Sequence, residues 1–424
     1  MASCTAECVI SSLLDTDLYK LTMHAAVHRH FPSVDVEFKY TNRTPLMKFS
    51  LESYEYVKSQ IELLGALRFT TDEIRYLKKE VSYLPADYFE YLQTFKLTPR
   101  EHVRLEYDQT TFELSLKVVG KWQDTILYEI PLLAILSQAY FKFVETEWNF
   151  DGQYELAKEK CKKLVDHGCA FSEFGTRRRR STHSQQIVLQ SIVDYFQHEV
   201  PELKKHLLLG TSNVFFAKKF NLKPIGTVAH EWIMGIAAIT GDYLNANFNS
   251  LKFWCDTVGL QNAGLALTDT FGTDAFLKNF KEPYISNYIG VRQDSGDPLL
   301  YAEKIADFYF NVCKLPKFSK IICFSDSLNV EKCIKYHDKS IELGLKPTFG
   351  IGTYFTNDFH NLNGSKSNPL NIVIKLKEID GKHAIKISDN IGKNMGDAAT
   401  VQKVKQLLGY QEKIWISGDE SHRW

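Results

Sequence analysis

The sequence predicts an α/β protein: an irregular parallel α/β barrel with a second, smaller α+β domain formed from both chain ends. Three observations carry that expectation. The middle of the chain repeats a short apolar run, closed by small or polar residues and followed by an amphipathic stretch, as expected for buried parallel strands joined by helices. Both ends show instead the period-two alternation of antiparallel strands. At 424 residues the chain exceeds what a single hydrophobic core supports, so two domains are expected.

Taken in order, residues 34–40 (VDVEFKY) alternate as a strand, and 103–119 do so again with a break at Asp108-Gln109. Helical periodicity marks 57–64 and 72–84. The apolar runs then end at Phe171-Ser172-Glu173-Phe174, Leu207-Leu208-Leu209-Gly210, Pro224-Ile225-Gly226-Thr227 and Leu265-Ala266-Leu267-Thr268. Three more end at Tyr288-Ile289-Gly290-Val291, Ile321-Ile322-Cys323-Phe324 and Thr348-Phe349-Gly350-Ile351. Helical segments follow, among them 184–196, 230–239 and 297–312. An open doubly wound sheet accommodates part of this series, but so many consecutive units fit a closed barrel better. The polar stretch 361–368 (NLNGSKSN) reads as a loop and boundary. Two strands, 371–379 and 383–388, flank the turn Asp380-Gly381. These readings assign 1–150 to the N-terminal part of the α+β domain and 151–360 to the barrel. Residues 361–424 form a hairpin and helix that return to the first domain.

Lys+Arg and Asp+Glu each total 51, so no global field steers the chain toward nucleic acid or an anionic membrane. The opening MASCTAECVI lacks the basic start of a secretory signal. Residues 130–144 are apolar, yet Ser137, Gln138 and Lys142 interrupt them, too early for a membrane span. Eight cysteines without CxxC spacing signal neither zinc nor disulfides. Reduced thiols and a cytosolic or nuclear location are expected.

In a parallel barrel the reacting groups project from the C-terminal ends of the strands. Those ends carry Glu173-Phe174-Gly175-Thr176-Arg177, Thr211-Ser212-Asn213, Thr227 with His230, and Thr268-Asp269. Arg292 with Asp294, Ser325-Asp326 and Gly352-Thr353 complete the ring. Any one of the hydroxyls or aspartates serves equally well as a helix cap; together they outline a site. Glycines in Gly350-Ile351-Gly352-Thr353 admit an anion close to the backbone, and Ser325-Asp326-Ser327 opens a helix-like segment. Both lie on the last two strands, where such barrels hold phosphate. The run from Arg177 to Arg180 reads as a solvated helix start, a nucleic-acid patch, or a bidentate clamp for carboxylate or diphosphate. Neutral overall charge and the lack of a second basic cluster count against nucleic acid. Arg292 and Asp294 form either a structural salt bridge or a pair holding an anionic substrate and ribose hydroxyls or a metal-bound water. His230, beside Thr227 at a strand-to-helix junction, is a candidate nucleophile or phosphate carrier.

The strings DTDLYK (15–20), FSEFGTRRRR (171–180), GTVAHEW (226–232), GVRQDSGDP (290–298), FGIGT (349–353) and KISDNIGK (386–393) resemble those of nicotinate phosphoribosyltransferases, the fungal form most nearly. The likeness extends over essentially the whole chain in order. It implies a type II phosphoribosyltransferase that makes nicotinate mononucleotide and diphosphate from nicotinate and 5-phosphoribosyl 1-diphosphate with Mg2+, as in NAD salvage. It also implies coupling to ATP hydrolysis through a phosphohistidine at His230. By the same resemblance Tyr19 and Phe174 sandwich the pyridine ring, with Tyr19 donated by a second subunit of a homodimer with a shared site. Thr227 and Arg292 then contact nicotinate, and Arg177 lines the pocket. Ser325, Asp326, Gly352 and Thr353 hold the 5-phosphate, while Asp269 and Asp294 bind ribose hydroxyls or order the metal.

The nearest rival is a nicotinamide phosphoribosyltransferase. Those relatives carry an Asp where this chain has Ser212, and an Asp accepts from an amide but repels a carboxylate. Ser212 therefore favours the acid. Quinolinate phosphoribosyltransferases are shorter and decarboxylate their substrate. A phosphate-sugar aldolase lacks its Schiff-base lysine here, and an RNA-binding protein rests on the arginine run alone.

Overall fold

The computed structural model describes residues 8–390 and 393–411. The first strands are β1 (Asp35–Asn42), β2 (Val103–Asp108) and β3 (Glu113–Lys121). Six short strands follow: β4 (Ala170–Glu173), β5 (Leu208–Thr211), β6 (Leu265–Leu267), β7 (Gly290–Gln293), β8 (Ile321–Phe324) and β9 (Lys346–Ile351). The pairs β10 (Phe359–His360) with β11 (Lys366–Ser367), and β12 (Ile372–Ile379) with β13 (Lys382–His383), close the series.

The two ends of the chain build one antiparallel sheet in the order β13-β12-β1-β3-β2. Alternation decides its faces: Val36, Phe38 and Tyr40 of β1 are buried, as are Ile372, Ile374 and Leu376 of β12. The turn between β12 and β13 places Asp380 (φ 45°) and Gly381 (φ 71°) in the left-handed region, which a two-residue hairpin needs. The second arm is shorter than the alternation suggests. After His383 the chain leaves the ladder, and Ile387 N–H donates to Thr270 of the other domain at 2.9 Å. Ala384, Ile385 and Ile387 are buried there, so docking against the neighbouring domain outweighs strand pairing.

The middle of the chain forms a parallel sheet in the order β5-β4-β9-β8-β7-β6. The last strand, β9, returns to lie beside the first, β4, in register Phe171↔Phe349. The run ending at Thr227, expected as a strand, makes a single bridge, Thr211↔Pro224, and no ladder joins β5 to β6 among the described residues. Pro224 has no N–H to donate, and the residues after it turn to line the cleft described below. Helices follow the strands at Thr182–His198, His230–Thr240 and Pro298–Ala306. Asp297 caps the third, accepting from Leu299 and Leu300 N–H with Pro298 at the first helical position.

The helix Thr71–Glu80 stops four residues short of the expected end, its start fixed by a Thr70–Glu73 capping box and Pro85 lying just beyond. The continuous stretch Trp122–Phe143 is 22 residues long and contains an 18-residue window of mean hydropathy 1.2, long and apolar enough to cross a bilayer, but 83% of that window is buried in protein. It is longer than the apolar run alone indicates because Trp122–Tyr128 add two short helical turns. The helices Glu129–Phe143 and His230–Thr240 both pack on β12, joining the two sheets.

Candidate active site

A cleft of about 200 Å³ lies between the C-terminal ends of the parallel strands and the antiparallel sheet. Every residue proposed from the sequence lines it except Asp269: Tyr19, Phe174, Arg177, Ser212, Thr227, His230, Arg292, Asp294, Ser325, Asp326, Gly352 and Thr353. Tyr19 enters the cleft of its own chain, on the first turn of the helix Leu18–His30. The expected donation from a second subunit is thus not needed to bring it there.

Phe174 extends from β4, its N–H bonded to Ile351 O at 2.7 Å. Gly350 makes room for its ring: a Cβ there would lie 2.5 Å from Phe174 ring carbons. Gly226 makes room for the backbone that carries Tyr19: a Cβ there would lie 2.8 Å from Tyr19 N and 3.1 Å from Leu18 Cβ. These two glycines set the positions of both aromatic walls.

The arginine run divides in two. Arg179 and Arg180 are fully buried; Arg179 forms a bidentate pair with Asp15 at 2.7 and 2.8 Å, and Arg180 sits 3.8 Å from the Phe141 ring centroid. They hold the loop. Arg178 donates to Ile372 O of β12 and lines the cleft beside Arg177. The Arg177 guanidinium lies 5.5 Å from the Tyr19 ring centroid and faces Asp17 and Glu129 only at 3.7 and 3.9 Å. Its donors stay available to an anion.

Arg292 is committed. It donates to Ser325 Oγ (2.8 Å), Thr227 Oγ1 (2.9 Å), Val228 O (3.3 Å) and Asp294 Oδ1 (3.2 Å). Ser325 Oγ also donates to Asp294 Oδ1 at 2.9 Å, so Ser325 orients this pair rather than offering a free hydroxyl. Asp326 accepts from Lys393 at 2.5 Å. The helix expected to open at Ser325 begins instead at Val330, and Asn329 caps it by accepting from Lys332 N–H at 2.8 Å. Ser327 lies in the left-handed region (φ 51°) and turns the chain before the helix starts. Gly352 and Thr353 open a single helical turn at the cleft wall. Ser212 Oγ donates to Asp17 Oδ1 at 2.7 Å.

His230 begins the helix His230–Thr240, whose N-cap, Ala229, has no side chain able to cap it. Its Nε2 lies 2.8 Å from Asp269 Oδ1 and 3.7 Å from Asp294 Oδ2. Asp269 is 1% exposed, and its Oδ2 accepts from Ser295 at 2.5 Å and faces Lys386 at 3.2 Å. Expected at the ribose hydroxyls or the metal, Asp269 lies outside the cleft lining and behind His230, with both oxygens engaged. Burial alone would raise its carboxyl; His230 and Lys386 hold it well below the ordinary range. Burial lowers His230 to about 4, against the pull of Asp269. At neutral pH the ring is uncharged, Nε2–H donates to Asp269, and Nδ1 carries the lone pair.

Sequence reasoning missed a second set of lining residues: Asp17, Arg43, Glu129, Glu231, Lys375 and Lys393. Lys375 projects from β12, where alternating lysines read as a solvent face; burial pushes it down to about 7, opposed by Glu129. Lys386 and Lys393 belong to the KISDNIGK string, of which Ile391 and Gly392 lie outside the described residues. Asp17 and Glu231 likewise fall within DTDLYK and GTVAHEW, so these strings carried a signal that Arg43, Glu129 and Lys375 lacked.

Comparison with known proteins places these observations. A family model described as the nicotinate phosphoribosyltransferase (NAPRTase) family matches residues 169–412, and its N-terminal domain matches residues 14–137. The nicotinate phosphoribosyltransferase of Saccharomyces cerevisiae is 56% identical, over 99% of this chain and 100% of that protein. That of Methanosarcina mazei is 38% identical, over 95% and 98%. Among solved structures, the Saccharomyces cerevisiae protein superposes with a TM-score of 0.94 at 56% identity, covering 96% of this chain and 100% of that one. The Vibrio cholerae nicotinate phosphoribosyltransferase gives 0.87 at 32% identity, covering 96% of each chain.

Proposed function

The chain belongs to the nicotinate phosphoribosyltransferase family, and from that premise we propose how its cleft joins nicotinate to 5-phosphoribosyl 1-diphosphate and couples the transfer to ATP. The observation that carries the reading is the convergence, in one cleft, of two aromatic walls, an arginine with available donors, and a neutral histidine bonded to a buried aspartate.

Nicotinate enters between Tyr19 and Phe174, which fix a flat ring with its nitrogen toward the ribosyl C1. Its carboxylate pairs with Arg177, while Arg292 organises Thr227, Ser325 and Asp294 around the reacting centre. The pyridine nitrogen bonds to C1 as the C1–O bond to diphosphate breaks, and the Asp294 carboxylate offsets the positive charge that develops on the ribosyl ring. Gly352, Thr353 and the Ser325-Asp326 loop receive the 5-phosphate. Asp294 suits Mg2+, a cation of oxygen ligands, because it lines the cleft and its Oδ1 takes the Arg292 and Ser325 donors, leaving Oδ2 to a cation. A divalent cation held by Asp294 would supply charge neutralisation for the departing diphosphate. In the ATP half-reaction, Nδ1 of His230 attacks the γ-phosphorus, ADP departs, and the Nε2 proton stays on the ring, hydrogen-bonded to Asp269. The uncapped helix start at His230 offers N–H groups to the phosphoryl oxygens. The parallel strands read as an irregular barrel whose ring is interrupted at the Pro224 segment.

The test is an assay of the purified chain with 5-phosphoribosyl 1-diphosphate and nicotinate, nicotinamide or quinolinate in turn, with and without ATP. Nicotinate mononucleotide from nicotinate alone, enhanced by ATP, is expected. Equal turnover of nicotinamide would overturn the assignment.

Two further results are expected. Gly350→Ala should drive the Phe174 ring into the cleft. An overpacked contact costs about 1–3 kcal/mol, so the KM for nicotinate should rise roughly tenfold while binding of 5-phosphoribosyl 1-diphosphate changes little. An unchanged KM would show that Phe174 does not wall the pyridine. His230 in the free enzyme should titrate near 4, read from its ring NMR shift. Its folded value lies below the ordinary histidine value of about 6.5, so the unfolded chain protonates first. The ring then disfavours the fold progressively as pH drops between those values. Titration at the ordinary value would contradict a buried neutral imidazole.

A further inference from the structure

We propose that Lys20 is a positioning residue, whose ammonium fixes the helix starts presenting Tyr19 and His230 and, through Glu129, the guanidinium of Arg177. Lys20 is fully buried, and it is absent from the cleft lining. Its Nζ lies 2.7 Å from Glu129 Oε2 and donates to Glu231 Oε2. Glu231 Oε1 accepts from Trp122 Nε1 at 2.7 Å. Both carboxylates line the cleft that Lys20 itself does not reach.

The positions in the chain give this cluster its consequence. Lys20 follows Tyr19 on the first turn of Leu18–His30, Glu231 follows His230 on the first turn of His230–Thr240, and Glu129 begins Glu129–Phe143. One cation therefore ties two helix starts to the continuous helical stretch Trp122–Phe143 at the cleft wall. Its single charge faces two carboxylates, and the excess negative charge on Glu129 is opposed by Arg177, 3.9 Å from Oε1. Arg177 is thereby drawn over the Tyr19 ring without a hydrogen bond that would occupy its donors. Buried ion clusters of this kind contribute little net stability, and apolar groups of similar volume often replace them without loss. What an apolar replacement does not reproduce is the direction of each charge.

The inference rests on the cleft being the nicotinate site, and the test separates the two. In the full chain, Lys20→Met should raise the KM for nicotinate about tenfold or more, as displaced positioning groups do. It should also raise the ADP released per nicotinate mononucleotide above the parental ratio. Lys20→Met combined with Glu231→Met replaces the ion pair by an apolar one. This double variant should recover part of the thermal midpoint lost by Lys20→Met yet keep the raised KM and the raised ratio. Glu231→Gln, which retains the volume and the acceptor for Trp122, should shift both kinetic values in the same direction by less. It decides the matter should a Met variant not fold. Parental KM and parental ratio in any folded variant would reduce the cluster to packing and overturn the proposal. A parental enzyme that makes no nicotinate mononucleotide would count against the proposed function instead.

Discussion

Arg177→Gln is expected to lower kcat/KM for nicotinate by about 10²–10³-fold, equivalent to roughly 3–4 kcal/mol, the cost of removing one partner from a desolvated charge pair. The residual activity on nicotinamide, which has no carboxylate, should change far less. The expectation follows from what each arginine already does. Arg177 has only long ion contacts, to Asp17 and Glu129, so its fork is available to the substrate. Arg292 is engaged by Thr227, Ser325, Val228 and Asp294. Arg292→Gln should strand those partners and harm both pyridines alike. Steady-state kinetics on the two substrates resolve the roles. A selective loss on nicotinate in the Arg292 variant, with none in the Arg177 variant, would exchange them.

His230→Ala should abolish ATP hydrolysis and its stimulation of synthesis, leaving slow, ATP-independent formation of nicotinate mononucleotide. The two chemistries use different atoms. Phosphoryl transfer needs the Nδ1 lone pair, which exists because Asp269 accepts the hydrogen bond from Nε2–H and so keeps the proton on that nitrogen. Bond formation at C1 needs the aromatic walls, Arg177 and Asp294, and Asp294 is held chiefly by Arg292 and Ser325 rather than by the imidazole 3.7 Å away. Arg179 and Arg180 are already anchored to Asp15 and Asn357. A phosphoryl group at His230 is therefore expected to act on the cleft lysines and Arg177 rather than to order the arginine run. ADP release and product formation, followed together, give the answer. Continued ATP hydrolysis in step with synthesis would place the phosphoryl acceptor elsewhere.

Much of this site was legible in the sequence because its residues follow short apolar strands. Phe174, Ser212, Arg292, Asp294 and Gly352 each sit at a strand end, where local pattern suffices. The rest depends on docking. Lys375 alternates along β12 like a solvent-facing lysine, and only the packing of Glu129–Phe143 and His230–Thr240 on that strand turns it inward. Glu129 and Glu231 look like ordinary acidic residues in a helix's first turn; their buried lysine partner is far away in the chain. The Pro224 run has the composition of a strand, but its proline and its role in lining the cleft leave it a single bridge. Asp269 shares its strand-end position with the lining residues, yet Ser295 and Lys386 enclose it. Composition at a strand end does not tell which aspartate faces the cleft.

The most direct test of the coupling mechanism is to incubate the chain with γ-labelled ATP and Mg2+ and locate the phosphoryl group by mass spectrometry and ³¹P NMR. The account predicts an acid-labile phosphoryl group on Nδ1 of His230, since Nε2 is held by Asp269, discharged as nicotinate and 5-phosphoribosyl 1-diphosphate form product. Label on Nε2, on another residue, or retained through product formation would contradict it.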